Sequence, residues 1–489
     1  MAKKITDYLL YRWRYIIGYS IIGVSIVGLL LLAGLYVPGG INQEEMNSVV
    51  ASHNLSLQSL EAFDPKSVIN LPYNLLQRAS TEILGITNFS IKLPSLILGA
   101  FSALGMILLL QMWFRRNVAV LTTVLVIATG QFMFVAQNGM PSIVYIFWSV
   151  WLLLAAMMVS RRAPFLRLWK IILFGAAALS LYTPLSVYIL IALASAIIFH
   201  PHLRYLFRQL LKARANVAIA TVCALIAITP LAYAIYKDPS VGLTLLGVPQ
   251  AMPDIMANLM TLLNQYFSFS NPSVGALMTP IYSLGAMVLI VLGIIRLATT
   301  NYTARSYIIS AWAILLLPVL LVAPKFSTIT FVPAMLLMAM GISSLLRSWY
   351  QLFPRNPYAR IIGLVPLTIL IGGMFFSGVS RYTYTYLYNP ATAQYFSHDL
   401  TLIDTQLRAT DRGATILAVA ENEKLFYNIA TEKHSNITVT DTQPDLQADT
   451  TIVSRAARAA GTYAAPKYVV TDSRNELADR FYIYKNDQK

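Results

Sequence analysis

Upstream of residue 380 this 489-residue chain holds eight carboxylates, and two of them, Glu44 and Glu45, are adjacent just past the first long apolar run. Paired acids of this kind can take up a proton or hold a cation. Of the other six, Glu61, Asp64, Glu82, Asp238 and Asp254 share their side once the apolar runs are threaded through a bilayer, and only Asp7 falls opposite. That asymmetry marks one face as the place for acid/base or cation chemistry.

The elements that must position these residues are set by composition. Hydrophobic residues make up 57% and charged ones 12%, with a mean hydropathy of +0.61, whereas a soluble domain carries about 25% charged residues. Runs near the roughly 20 residues that cross a bilayer as helix recur from residue 16 to 380. Eleven spans are expected, at about 16–36, 93–113, 117–136, 142–160, 168–182, 184–199, 216–236, 276–296, 307–323, 327–345 and 361–379. Alternate ends of these spans carry nineteen Lys and Arg against five (Lys66, Arg78, Lys92, Lys237, Lys325). Basic residues mark the cytoplasmic side, so the N-terminus is expected inside and the C-terminus outside. Residues 1–15 read as a retained cytoplasmic lead.

The same count accounts for most of the net charge of +15. Charges dispersed over short loops argue against nucleic acid as a partner. The single cysteine, Cys223, lies within a span and rules out an intramolecular disulfide.

The parts outside the membrane are expected to be a first outer loop at 37–92, a later one at 237–275, and a tail at 381–489 that follows a membrane domain at 1–380. The tail carries 13 of the 21 Asp and Glu. Strand-like runs at Thr415–Val419, Ile437–Thr440, Tyr468–Thr471 and Phe481–Tyr484 alternate with helix-like stretches at Glu421–Thr431 and Thr451–Ala460, predicting a small soluble α/β unit. It has no phosphate loop, nucleophile elbow or metal-ligand spacing. In the first outer loop, Asn42-Gln43-Glu44-Glu45 opens a short interfacial helix through Ser52. Leu71-Pro72-Tyr73 opens a second, with Leu75, Leu76, Ala79, Ile83 and Leu84 on one face. The two would roof a cavity among the spans. Re-entry follows at Lys92-Leu93-Pro94-Ser95, with Gly99 one turn on.

This order of features resembles the polytopic GT-C glycosyltransferases, especially the branch containing protein O-mannosyltransferases and the lipid A aminoarabinose transferase. The resemblance rests on Glu44-Glu45, Leu71-Pro72-Tyr73, Lys92-Leu93-Pro94-Ser95 and Gly99, and continues in Thr229-Pro230-Leu231 before Lys237-Asp238-Pro239. The chain departs from the pattern at Gln137-Asn138-Gly139-Met140-Pro141-Ser142, where Arg and an acid are usual. It departs again at Lys92, which replaces an Arg and lacks its bidentate fork.

The resemblance implies an α-helical polytopic membrane protein with an extracytoplasmic active site in the plasma or inner membrane. It implies an inverting glycosyltransferase that moves a hexosyl or pentosyl unit from a polyprenyl-phosphate donor to a lipid, glycan or protein acceptor, with membrane lipids as further partners. Glu44 is then the preferred base, though adjacency alone does not separate it from Glu45. Glu45 would orient the acceptor or hold a divalent cation (Mg, Mn or Zn), with Asp238 or Asp254 as further carboxylates for the metal; otherwise the enzyme is metal-independent or inactive. Lys325, in the short turn Ala323-Pro324-Lys325-Phe326, is the first choice for the donor phosphate, followed by Lys92, Arg78 and Lys237. A lysine at a span end also snorkels to the interface without binding anything. Tyr182, in Tyr182-Thr183-Pro184, suits either a substrate contact or an interfacial belt, and the run Tyr382, Tyr384, Tyr386, Tyr388 suits an aromatic anchor. Two alternatives stand beside this reading: a catalytically degenerate protein of the same layout with a binding or assembly role, and a lipid or solute transporter. Spans nearly free of charge and without a repeat weigh against the transporter.

Overall fold

The structure, a computed structural model, describes residues 40–55, 63–212, 214–249, 251–269, 273–274, 278–300, 303–352, 357–389, 395–409, 414–432, 436–442, 448–472 and 478–485, with a few positions between 20 and 28. The span expected at 16–36 therefore lies largely outside the described residues, as do Asp7 and Glu61.

The loop expected to lie outside forms α1 (Gln43–His53) and α2 (Leu71–Leu84), and the chain then enters the long helix α3 (Asn88–Trp113). The next elements are α4 (Arg116–Ile127), α5 (Gly130–Gln137), α6 (Ile143–Ser160), α7 (Leu166–Ser180), α8 (Val187–Phe199), α9 (Pro201–Lys212) and α10 (Arg214–Lys237). After the short α11 (Pro239–Leu246) and α12 (Ile255–Phe267) come strands β1 (Ser273–Val274) and β2 (Met278–Thr279). Helices α13 (Leu284–Thr299), α14 (Ala304–Val322), α15 (Phe331–Leu352) and α16 (Pro357–Tyr388) complete the apolar part. Among the described residues six helices are long and apolar enough to span a bilayer, or up to eight if each of two bent pairs counts as one span.

The bends correct the expected spans. The run 117–136 is two helices meeting at 61°, because Thr129 stops one and caps the next by accepting from the Phe132 amide. The run from 184 continues past Phe199 but turns through 103° at Pro201, so α9 crosses the end of α8. Helix α13 begins at Leu284, where Ser283 caps it, several residues later than expected. Helix α7 has only 15 residues, short of a full crossing. Helix α16 runs to Tyr388, past the boundary expected at 380, so the tyrosine run is helical. Tyr382 is buried and donates to the Gln137 side chain, while Tyr384 and Tyr388 are exposed and pack together.

Helix α2 is amphipathic in an unusual sense. Its polar side, with Asn74, Gln77 and Thr81, is buried along with Tyr73, while Leu75, Leu76, Ile83 and Leu84 are exposed. A helix that turns its leucines outward belongs at an apolar boundary, as the interfacial reading requires.

The tail contains α17 (Asp399–Ala409), β3 (Thr415–Ala418), α18 (Glu421–Thr431), β4 (Ile437–Thr440), β5 (Thr450–Ser454), α19 (Arg455–Ala460), β6 (Tyr468–Thr471) and β7 (Asp479–Lys485). The sheet order is β4-β3-β5-β7-β6, with β3 parallel to β4 and β5, and β7 antiparallel to β5 and β6. The helix expected at Thr451–Ala460 is thus half strand. The β-branched run Thr450-Thr451-Ile452-Val453 forms the fully buried centre of the sheet, and helix starts only after the Ser454 cap.

One apolar core joins tail and outer loop. Ile41, Met46, Val49 and Ile91 pack with Leu400, Leu417, Phe426, Ile452 and Phe481. The seam is closed by paired backbone bonds, Ile41 N to Ser397 O at 2.9 Å and Ser397 N to Ile41 O at 3.0 Å. Arg480 donates to both Asp399 oxygens at 2.7 and 2.5 Å, and nearby burial, with Asp399 adding to it, pushes the Glu423 carboxyl up to about 7. A Cβ on Gly40 would stand 1.4 Å from the Ser397 carbonyl oxygen, backbone that no rotamer change can clear. Gly40→Ala is therefore expected to part the tail from the outer loop, read as faster limited proteolysis near residue 397. An unchanged digestion pattern would count against this seam.

Candidate functional site

Glu45 sits at the third position of α1, where Asn42 caps the helix. The Asn42 side chain accepts from the Glu45 amide at 2.7 Å, and Glu45 Oε2 accepts from the Asn42 amide at 2.9 Å, completing a reciprocal capping box. The other oxygen accepts from the Gly139 amide at 2.6 Å, and the Lys92 ammonium is 3.8 Å away. Lys92 in turn donates to Gly40 O at 2.9 Å and lies 5.6 Å from the Phe396 ring centre. Both charged side chains are buried, Glu45 at 0% and Lys92 at 2% exposure. The pair fastens four segments together: the start of α1, the start of α3, the turn between α5 and α6, and the tail junction.

That turn is the Gln137–Ser142 segment whose charges are missing. Its backbone does the work instead: Gly139 O accepts from Gln77 at 2.9 Å, Met140 O accepts from Ser95 at 3.3 Å, and Ser95 meets the Tyr73 hydroxyl at 2.9 Å. A Cβ at Gly139 would come within 2.6 Å of Ile91 and 3.3 Å of Glu45 Oε1, so the turn approaches the carboxylate this closely only as glycine. The Leu93-Pro94-Ser95 and Gly139 features are legible in the sequence, but nothing in their spacing points to this contact.

Glu44, one residue earlier on α1, is exposed. The surrounding protein still strips enough water from it to raise its pKa; the Lys325 ammonium holds the carboxyl down in part, and neighbouring Glu45 pushes it up. Tyr395 shares these surroundings, its hydroxyl pushed up to about 12 by burial and then by the two glutamates. Sequence reasoning missed Tyr395, which lies 351 positions from Glu44 with no motif around it. Lys325 comes from the 3-10 turn Pro324–Thr330 that links α14 to α15, and is exposed. It also lines a cavity of about 360 Å³ whose walls include Val248, Pro249, Val322 and Phe326.

The remaining expected residues are placed elsewhere. Lys92 is enclosed with Glu45, which removes it from any surface a phosphate can reach. Arg78 pairs with Glu82 at 2.7 Å and donates to Leu55 O, and the same pairing holds the exposed Glu82 carboxyl below its usual range. Lys237 stacks over Tyr233 with 5.1 Å to the ring centre. Asp238 and Asp254 cap α11 and α12, Asp238 accepting from the Ser240 amide and Asp254 from those of Met256 and Ala257. Tyr182 is a core residue, 1% exposed, its hydroxyl donating to Ala227 O at 2.6 Å.

This donor set does not fit a divalent cation. Both Glu45 oxygens are engaged by backbone amides, with an ammonium beside one of them. Among the described residues no three His, Cys, Asp or Glu side chains converge. Glu45, Asp238 and Asp254, the carboxylates expected for a metal, each hold a helix start in this structure.

At the level of sequence, no family model and no curated protein matches the chain. Solved structures do match. ArnT from Cupriavidus metallidurans bound to undecaprenyl phosphate superposes with a TM-score of 0.53 at 12% identity, over 95% of this chain and 98% of that one. The Archaeoglobus fulgidus oligosaccharyltransferase in complex with Zn and sulfate gives 0.51 at 11% identity, over 88% of this chain and 68% of that one. The same enzyme tethered to an acceptor peptide gives 0.50 at 13% identity, over 88% and 64%. With apolar helices of spanning length and these neighbours, the chain is a polytopic membrane protein that shares its fold with ArnT and the archaeal oligosaccharyltransferase, the kind of fold implied by the resemblance to GT-C glycosyltransferases.

Proposed function

We propose that the protein transfers a sugar from a polyprenyl-phosphate donor to an acceptor at the outer face of the membrane, with inversion at the anomeric carbon. The observation that carries this reading is the position of Lys325: its charge acts on the Glu44 carboxyl, holding it down in part, and its side chain lines a mostly apolar cleft. A lipid phosphate held at that ammonium would lay its first isoprene units against Val248, Pro249 and Phe326. Its sugar would be left beside the one glutamate of the pair that is open to solvent. The ArnT neighbour, which binds undecaprenyl phosphate, supports a donor of this class.

In the proposed step the acceptor hydroxyl attacks the anomeric carbon, the bond from that carbon to the phosphate oxygen breaks, and the hydroxyl proton passes to Glu44. The departing polyprenyl phosphate carries the bonding pair, and the Lys325 ammonium stabilises the charge that grows there. Glu45 does not touch the reactants; through the capping box and Gly139 it fixes the helix on which Glu44 stands.

The pH profile follows from the direction of the Glu44 shift. A base works only when deprotonated, so activity is full above its pKa and falls as pH drops through it. With that pKa raised, the acidic limb of kcat/KM should lie above the ordinary glutamate range. Lys325 favours the charged carboxylate, so Lys325→Gln should move the limb to still higher pH and also raise the KM for the lipid donor. A limb that stays put in that variant would separate Lys325 from Glu44. The reading as a whole is tested by mass spectrometry of polyprenyl-linked sugars and envelope glycans in cells with and without the gene. The expected result is build-up of one lipid-linked sugar together with loss of one glycan modification.

A further inference from the structure

A second cavity, of about 340 Å³, lies at the opposite ends of the helices from Glu44. It is bounded by the last turns of α3, α6 and α8, the first turns of α7 and α14, and the crossing helix α9. Its walls are mostly apolar, with Leu153, Met157, Leu173 and Leu193 from the spans and Leu203 and Leu206 from α9. Three cations line it, Arg162, Lys170 and Arg305, and no carboxylate does.

The cations are held in place. Arg162 reaches the Gln209 side chain on α9, and Arg305 donates to Trp113 O while its guanidinium lies 5.1 Å from the Phe114 ring centre. Lys170 is 2% exposed and forms no ion pair among the described residues. An anion in the chamber would give these three cations a counter-charge, and apolar walls around an anion site suit an amphiphile rather than a small ion. The setting agrees: these helix ends are those with the excess of Lys and Arg, where anionic headgroups concentrate. Helix α9 carries Arg204 and Arg208 outward and Leu203 and Leu206 inward, so it lies across the chamber as an interfacial cover.

We infer that this chamber is a binding site for an anionic glycerophospholipid, with its phosphate at Lys170, Arg162 and Arg305 and an acyl chain along α6, α7 and α8. The site is separate from the proposed transfer centre and does not depend on it.

Native mass spectrometry of the full-length protein in detergent tests this, with phosphatidylglycerol and phosphatidylcholine of identical chains as probes. Retention of one phosphatidylglycerol is expected at about tenfold preference or more, because both lipids carry the phosphate but the choline of phosphatidylcholine would bring a further cation against Lys170, Arg162 and Arg305. Lys170→Met should reduce the preference towards unity. Equal retention of the two lipids, or an unchanged preference in the variant, would overturn the inference. Displacement of the lipid by inorganic phosphate at equal concentration would reassign the chamber to a free anion and equally overturn it. If Lys170→Met does not fold, the wild-type protein still decides. Phosphatidylglycerol with a photoreactive acyl chain should label peptides covering 153–173 and 193–207, whereas labelling spread evenly over the lipid-facing sides of α10 and α13 would refute the site.

Discussion

Glu44→Gln is expected to lower sugar transfer by about 10² to 10⁴-fold, the usual contribution of a positioned general base, with little change in donor binding or folding. The amide keeps the size and hydrogen-bonding reach of the side chain and removes only its ability to take a proton. Glu44 is exposed, forms no hydrogen bond among the described residues, and does not take part in the capping box, which belongs to Glu45. The variant should therefore retain the wild-type melting temperature and the wild-type affinity for polyprenyl phosphate, and lose kcat. Full activity in a folded Glu44→Gln protein would remove Glu44 from the mechanism and the transferase reading with it.

Glu45→Ala should do the reverse. It leaves the Lys92 ammonium buried beside empty space and takes the acceptor from the Asn42 and Gly139 amides. Breaking a buried pair in this way costs about 3–5 kcal/mol. Loss of folding should dominate, seen as a large drop in apparent melting temperature in detergent and poor recovery from the membrane. The charge component can be isolated. Glu45→Gln keeps an acceptor for the backbone but strands Lys92, whereas Glu45→Gln with Lys92→Met removes both charges. The double variant is expected to be more stable than Glu45→Gln alone, although the Gly40 carbonyl then loses its donor. If Glu45→Gln alone matches the wild type, the buried pair contributes nothing, and the distinction drawn between the two glutamates fails. Measured together, the two positions separate a chemical role from a structural one on adjacent residues of one helix.

That distinction was not legible in the sequence. Adjacency of Glu44 and Glu45 announces that the pair matters, and the Asn42 to Glu45 spacing is that of a capping box. The spacing says that Glu45 turns back on the helix start, but not that a glycine 94 positions later would close over its other oxygen. Lys92 is similar: a cation at the re-entry looks available for phosphate, and only the structure shows its ammonium reaching Gly40 O and the Phe396 ring. Tyr182, Asp238 and Asp254 had the right residue types, and each was committed to local structure. In the tail, Thr450–Val453 has the β-branched composition of a strand, and the alanines that follow it blurred the boundary.

What the chain determined by itself is the membrane part: where apolar runs fall, which helix ends are basic, and that α2 turns an apolar face outward. The bilayer makes these local matters, because every backbone polar group in a span must be satisfied within its own helix and each connecting charge is sorted one end at a time. The site was decided by tertiary structure. Whether a carboxylate is a base or a buried brace depends on how much water reaches it and which groups replace that water. At Glu44 and Glu45 those groups arrive from Lys325, Tyr395, Lys92 and Gly139, brought together only when the outer loop, the spans and the tail have closed on one another.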